Sequence, residues 1–279
     1  MPTDHSFQTD GLELHYVDYG GSGLPLILLH GLTGYARSWD EIAQPLTDSN
    51  HVYALDQRGH GDSDHAPDYG VTKFSADVAA FAAHLGHNFY AVCGLSLGAR
   101  NAIAVGGEQA DKLTHLVLVD MAPEMARTGA KRVRGNIGGQ VDINAGFANA
   151  DEAYDYAISQ AEHPNDPAQQ KRARAGIPHA LRTGDDGRLY YKYDPNLFQV
   201  TGKSAIAEQP FLWESLEKTT CPTLVVRGET SDILSPELVD KMLEHLPNAE
   251  AIEIKGAGHP VPYDQPEAFL QALRAFLAG

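Results

Sequence analysis

The chain has 279 residues, 43% of them hydrophobic and 21% charged, and its 37 Asp and Glu against 21 Lys and Arg give a formal net charge of −16. That length suits one large domain or a core with an insertion, and the composition is that of a folded globular protein rather than a disordered or fibrous one. The acidic balance repels phosphate backbones and no Lys or Arg stripe offsets it, so nucleic acid is disfavoured as a partner and a small-molecule substrate is expected.

The N-terminal run MPTDHSFQTDGLEL carries acids and no apolar leader, and runs such as PLILL and LVLV are too short to cross a bilayer, so a cytoplasmic protein without a membrane partner is expected. Cys93 and Cys221 each lie in or beside an apolar run and read as buried free thiols rather than a disulfide. No CxxC, HExxH or EF-hand spacing occurs, and His84 and His87 read as surface positions at a helix end, so neither metal nor cofactor is expected. Self-association as a homodimer is left open.

In chain order, LELHYVDYG from 12 and PLILLHG from 25 read as strands, followed by helical spacing at Trp39, Ile42, Ala43 and Leu46. HVYALDQRG from 51 is a strand, with helical spacing at Phe74, Val78, Phe81 and Leu85 behind it. FYAVCGLS from 89 is a strand, ARNAIAVGGEQA a helix and LTHLVLVD from 113 a strand. Strand signals then fade until PTLVVRGE from 222 and AEAIEIKGAGH from 249, and Pro266 to Ala278 closes the chain as an amphipathic helix. This alternation predicts an α/β fold, a mostly parallel central sheet with helices on both faces. The interruption is too long for a structureless loop and predicts a helical cap over residues 123–215, inserted into a core of residues 1–122 and 216–279.

In an open parallel sheet ligands bind beyond the carboxyl ends of the strands, where His30-Gly31-Leu32, Gly94-Leu95-Ser96-Leu97-Gly98, Asp120 and His259 stand. A serine between glycines is also what a plain bend looks like, but a strand before it and a helix after it favour a nucleophile held on a tight turn. The helix behind it offers a free N–H, that of Leu97, for a developing oxyanion, and the N–H of Leu32 is the candidate second donor. A serine hydroxyl needs a base. Of 13 histidines, His259 is placed best, after the last strand and ahead of the closing helix; a turn histidine in a Gly-Pro loop is the plainer reading. His30 reads as orienting the Gly31-Leu32 turn rather than taking a proton.

Together PLILLHGLTG, DQRGHGDSD, GLSLG and GAGH resemble the α/β-hydrolase family over the whole chain. The resemblance implies a serine hydrolase with nucleophile, acid and histidine in that order, and makes the Asp56 to Ser63 turn a part of the site floor outside the chemistry. It disfavours haloalkane dehalogenase and epoxide hydrolase chemistry, since those relatives carry an aspartate where Ser96 stands.

Two aspartates compete as the partner that fixes the histidine tautomer. Most of the family places the acid three residues after the glycine that here is Gly228, but that position is Ser231, and Asp232 comes one later. Asp120 with Met121-Ala122-Pro123 resembles the branch whose acid follows strand six, and is favoured; Asp232 is the alternative, otherwise a supporting acid or a helix N-cap before Ser235-Pro236-Glu237.

Residues 123–203 hold 11 of the 21 Lys and Arg but 10 of the 37 Asp and Glu, leaving that segment one positive charge and the remainder seventeen negative. A basic roof could attract a carboxylate, with Arg127, Arg132, Arg134, Arg172, Arg174 and Arg182 as candidates, although solvated helix faces explain them as well. Tyr190, Tyr191, Tyr193, Phe198, Phe211 and Trp213 could line a pocket or pack the cap.

The expected activity is cleavage of a small-molecule carboxylic ester through an acyl-enzyme, without cofactor. Amide or carbon-carbon bond hydrolysis of a small carboxylate, and a ligand-sensing protein that retains the triad, are the alternatives.

Overall fold

The structure, a computed structural model, describes residues 1–126, 128–131, 145–161, 164–201 and 203–279. Strands β1 (Thr3–Thr9), β2 (Leu12–Gly20), β3 (Leu24–Leu29), β4 (Asn50–Leu55), β5 (Tyr90–Leu95) and β6 (Leu113–Val119) precede the inserted segment. A small hairpin, β7 (Leu181–Thr183) and β8 (Leu189–Tyr191), lies within it, and β9 (Thr223–Gly228) and β10 (Ala249–Ile254) follow. Eight strands form one sheet in the order β1-β2-β4-β3-β5-β6-β9-β10. β2 pairs antiparallel with β1 and β4, and every other pair in that sheet is parallel.

Side chains alternate across the sheet and divide the core in two. Ile27, Leu29, Tyr53, Leu55, Val92, Leu116, Leu118 and Val225 face helices α2 (Val71–His84) and α3 (Leu97–Glu108). Leu26, Leu28, Val52, Ala54, Ala91, Cys93, Val117 and Val119 lie on the other face, with α1 (Asp40–Leu46) and the C-terminal helix Pro266–Leu277. Cys93 and Cys221 are buried free thiols in different core clusters.

The inserted segment carries α4 (Ala150–Ser159), capped by Asn149 Oδ1 on the Glu152 N–H at 3.0 Å, and α5 (Pro167–Ala180), where Asp166 accepts from the Ala168 N–H at 3.0 Å. The next helix, α6 (Gln209–Lys218), spans the expected boundary at 215, and its Leu212 and Leu216 are fully buried in the main core cluster against α3. Helix α7 (Pro236–His245) is N-capped by Ser235, whose Oγ accepts from the Leu238 N–H; Asp232 is not its cap, a correction to that reading. The C-terminal helix is α8.

β1 was not legible: of its seven residues only Phe7 is buried. No helix among the described residues is long and apolar enough to cross a membrane.

The order reverses between β3 and β5, one neighbour leading back to β4 and the other on to β6. A crevice opens at such a switch point. His30-Gly31-Leu32 leaves β3 and Ser96 leaves β5 on its two sides.

Candidate active site

Ser96 links β5 to α3 with φ 55° and ψ −114°, a backbone that side-chain-bearing residues rarely adopt. The flanking glycines serve close approach. A Cβ on Gly94 would come 2.3 Å from Gly98 carbonyl atoms, and one on Gly98 2.2 Å from the Leu29 oxygen. Their absence lets α3 press against β5 and β3, so the turn is tight enough to lift Ser96 out at the strand end.

His259 follows β10. Its Nε2 lies 2.9 Å from Ser96 Oγ and its Nδ1 2.7 Å from Asp120 Oδ2. A carboxylate can only accept, so Nδ1 carries the proton and, in the neutral ring, Nε2 accepts from the serine hydroxyl. This chain of hydrogen bonds can take a proton from Ser96 and steady the resulting imidazolium.

Asp120 is fully buried at φ 53°. The carboxylate has further donors: Gly228 N–H on Oδ1 at 3.0 Å and Ser231 O–H on Oδ2 at 2.5 Å. Of the two candidate aspartates it is Asp120 that meets the imidazole, at 2.7 Å; the main-chain oxygen of Asp232 accepts from Gly129 N–H at 3.0 Å and from Thr128 O–H at 3.2 Å.

Leu97 is the first residue of α3, where a helix leaves its N–H without an internal acceptor. Leu32 sits in the turn after β3, and Gly31 lies against Ser96, since a Cβ there would be 3.4 Å from Ser96 Cβ. His30 does orient that turn. Its Nδ1–H donates to the Gly31 oxygen at 2.8 Å while Nε2 accepts from Gln57 N–H at 3.1 Å, and burial lowers its pKa so that the ring stays neutral. Gln57 in turn donates to the His30 oxygen at 2.7 Å and accepts from Asn101 of α3 at 2.8 Å. The two walls of the crevice are thus tied together beneath Leu32 and Leu97.

Asp56 organises the floor. It accepts from Ala36 N–H at 2.5 Å, Asp62 N–H at 2.9 Å and His15 Nδ1–H at 2.7 Å. Burial alone would raise its pKa, but the His15 bond and the other donors outweigh it and hold the carboxyl below its usual range. His15, Asp56 and Asp62 are near enough to share an ion. They also have partners within the protein, Lys192 meeting Asp62 at 2.6 Å.

The crevice opens into a cavity of about 850 Å³ under α4 and α5. Ser96, His259, Leu32 and Leu97 lie at its base, with Met121, Ile158, Ala173 and Phe198 among its walls. Of the aromatic candidates, only Phe198 lines it among the described residues; Tyr191 stacks on Tyr193 at 5.0 Å, and Phe211 and Trp213 pack against the core. Arg127, Arg132 and Arg134 lie outside the described residues. Arg172 reaches the cavity but faces Glu41 at 3.8 Å, Arg174 pairs with Asp151 at 3.0 Å, and Arg182 lies over the Tyr190 ring. Of the described arginine candidates, Arg172 and Arg174 thus face acids and Arg182 an aromatic ring.

A sequence profile of the alpha/beta hydrolase family matches residues 26–272. The chain belongs to the alpha/beta hydrolase family. It is 28% identical over 274 residues to N-formylmaleamate deformylase of Pseudomonas putida, covering 96% of this chain and 94% of that protein. An esterase of Mycobacterium tuberculosis is 28% identical over 265 residues, covering 93% of this chain and 84% of its own. The crystal structure of E-2-(acetamidomethylene)succinate hydrolase superposes with a TM-score of 0.87 at 24% identity over 100% of both chains. This alpha/beta hydrolase is an enzyme, and its relatives are named as esterases and as a deformylase, which makes hydrolysis its chemistry.

Two groups of the hydrolase site escaped sequence reasoning. Gly228 gives its N–H to Asp120 and has no room for a side chain, a Cβ there lying 2.0 Å from the Gly258 oxygen beside His259. Ser231, the residue that stands where most of the family has its acid, donates its O–H to Asp120 Oδ2.

Proposed function

We propose that this hydrolase cleaves carboxylic esters of small molecules by way of an acyl-enzyme on Ser96. The observation that carries the reading is the unbroken chain from Ser96 Oγ through His259 to Asp120, at 2.9 and 2.7 Å, starting from a serine at φ 55°. Ser96 Oγ attacks the ester carbonyl carbon as its proton passes to His259 Nε2. The oxyanion takes the N–H groups of Leu32 and Leu97, and Asp120 balances the imidazolium. Collapse expels the alcohol, which takes the proton from Nε2. Water then repeats the sequence on the acyl group, releasing the acid and restoring Ser96.

A largely apolar cavity with paired arginines suits a modest uncharged acyl group. The test is a panel of p-nitrophenyl esters beside p-nitroanilides of the same acyl groups. Esters should turn over faster, with no turnover in Ser96→Ala. Faster turnover of the anilides would overturn the ester assignment, and undiminished turnover by Ser96→Ala would overturn the nucleophile.

A further inference from the structure

Resting on the reading of Asp120 as the acid, we propose that Ser231 is a positioning residue that sets the direction and the charge of the Asp120 carboxylate. A hydroxyl has one proton to give and two lone pairs to offer. Ser231 Oγ accepts from Ile233 N–H at 3.1 Å and from Leu234 N–H at 3.3 Å, so its acceptor side is used by its own loop. Its proton is left for Asp120 Oδ2, at 2.5 Å, and an ionised carboxylate can only receive it.

Asp120 is gripped on both oxygens from the end of β9: Gly228 N–H holds Oδ1 and Ser231 O–H holds Oδ2. These two bonds fix the rotation of the carboxylate plane, which has no solvent contact to soften it. Oδ2 is also the oxygen that meets His259 Nδ1. Ser231 therefore has two effects that differ in sign. It aims Oδ2 at the imidazole, which favours turnover. By donating to Oδ2 it also takes up part of that oxygen's negative charge, so that its removal strengthens the pull of Oδ2 on an imidazolium. A serine that merely capped its loop would do neither.

The experiment compares Ser231→Ala, Ser231→Thr and Ser231→Cys in the full chain, with p-nitrophenyl butyrate as substrate across roughly pH 5 to 9. Ser231→Ala should lower kcat about tenfold, hold KM within about twofold, and move the acidic limb of kcat/KM to higher pH. Ser231→Thr, which keeps the hydroxyl, should restore both. Should Ser231→Ala not fold, Ser231→Cys, with a weak donor of similar shape, should show a smaller limb shift in the same direction and an intermediate kcat. An unmoved limb in Ser231→Ala, or in Ser231→Cys should Ser231→Ala not fold, overturns the proposal, whether or not Tm falls. Asp120→Asn is measured beside them. If it is inactive while Ser231→Ala behaves as wild type, only the role of Ser231 fails; if it keeps full activity, the acid reading and this proposal fail together.

Discussion

His259 Nδ1 and Asp120 Oδ2 lie 2.7 Å apart although 139 positions separate them in the chain. The end of β6 and the loop after β10 meet there because β9, standing between those strands, ends in Gly228, which donates to Asp120 and lies flat against Gly258. We expect Asp120→Asn to lower kcat by roughly 10³ to 10⁴ with little change in KM, because the amide can present its NH₂ to Nδ1 and select the wrong tautomer. Asp232→Asn should stay within a few-fold of wild type. Steady-state kinetics on one ester, both variants side by side, decides; the reverse pattern would move the acid to Asp232.

The close approach of α3 to β3 makes a second prediction. A Cβ at Gly98 would meet the Leu29 oxygen, a backbone atom that cannot swing aside. Gly98→Ala should therefore cost on the order of 1 to 3 kcal/mol or more, read as a lower urea midpoint, and should displace Ser96 enough to cut kcat. A substitution at Gly187 has nothing within 4 Å to meet, though its φ of 79° still carries strain, and should leave kcat unchanged.

Stability should peak near neutral pH, with different histidines on either slope. Burial holds His60 down to about 3, and His30 is lowered for the same reason, whereas an unfolded histidine titrates near about 6.5. The unfolded chain thus binds protons that the folded chain refuses, and stability falls as pH drops below the unfolded value. His15 is the opposite case. Burial works against its charge, but the hydrogen bond and charge of Asp56, with Asp62 and Asp4, overcome it and raise the pKa. Its contribution is complete below the unfolded value and is lost as pH rises through the folded one. Urea titrations at about pH 5 to 8.5 should show both slopes, each full proton of difference contributing about 1.4 kcal/mol per pH unit. His15→Gln should flatten the alkaline slope and His60→Gln should shallow the acid one; unchanged slopes would contradict the assignment.

Acyl-chain preference follows from the cavity wall. Ala173 of α5 lines the cavity that leads to Ser96. Ala173→Phe should leave kcat/KM for p-nitrophenyl acetate near wild type and reduce it for octanoate by about tenfold or more. Equal effects on both esters would show that the acyl group lies elsewhere.

What could be read in the sequence follows the physics of each element. The strands between 25 and 119 are apolar on both faces, so their runs stood out, and β5 with α3 framed Ser96 in its setting. β1 was lost because it is an edge strand with one buried side chain. The expected boundary at 215 falls within α6, whose pattern, Leu212 and Leu216 among polar residues, says that it packs but not on what. Ser96 and His259 stand out from strand ends and chain order, whereas Asp120 is favoured over Asp232 only through the resemblance to the branch whose acid follows strand six; the structure brings the three side chains within hydrogen-bond reach. The part of Ser231 was not legible, since a hydroxyl's partner is fixed by the neighbouring strand and by two N–H groups of its own loop, none of which leaves a spacing in the sequence.

The most direct test of the account is covalent. Wild type and Ser96→Ala are incubated with a fluorophosphonate and analysed by intact mass and peptide mapping. One phosphonyl group on Ser96 is expected in the wild type, appearing faster as pH rises through the acidic limb, and none in Ser96→Ala. A wild-type protein that stays unlabelled, or is labelled at another residue, would contradict the nucleophile on which the rest depends.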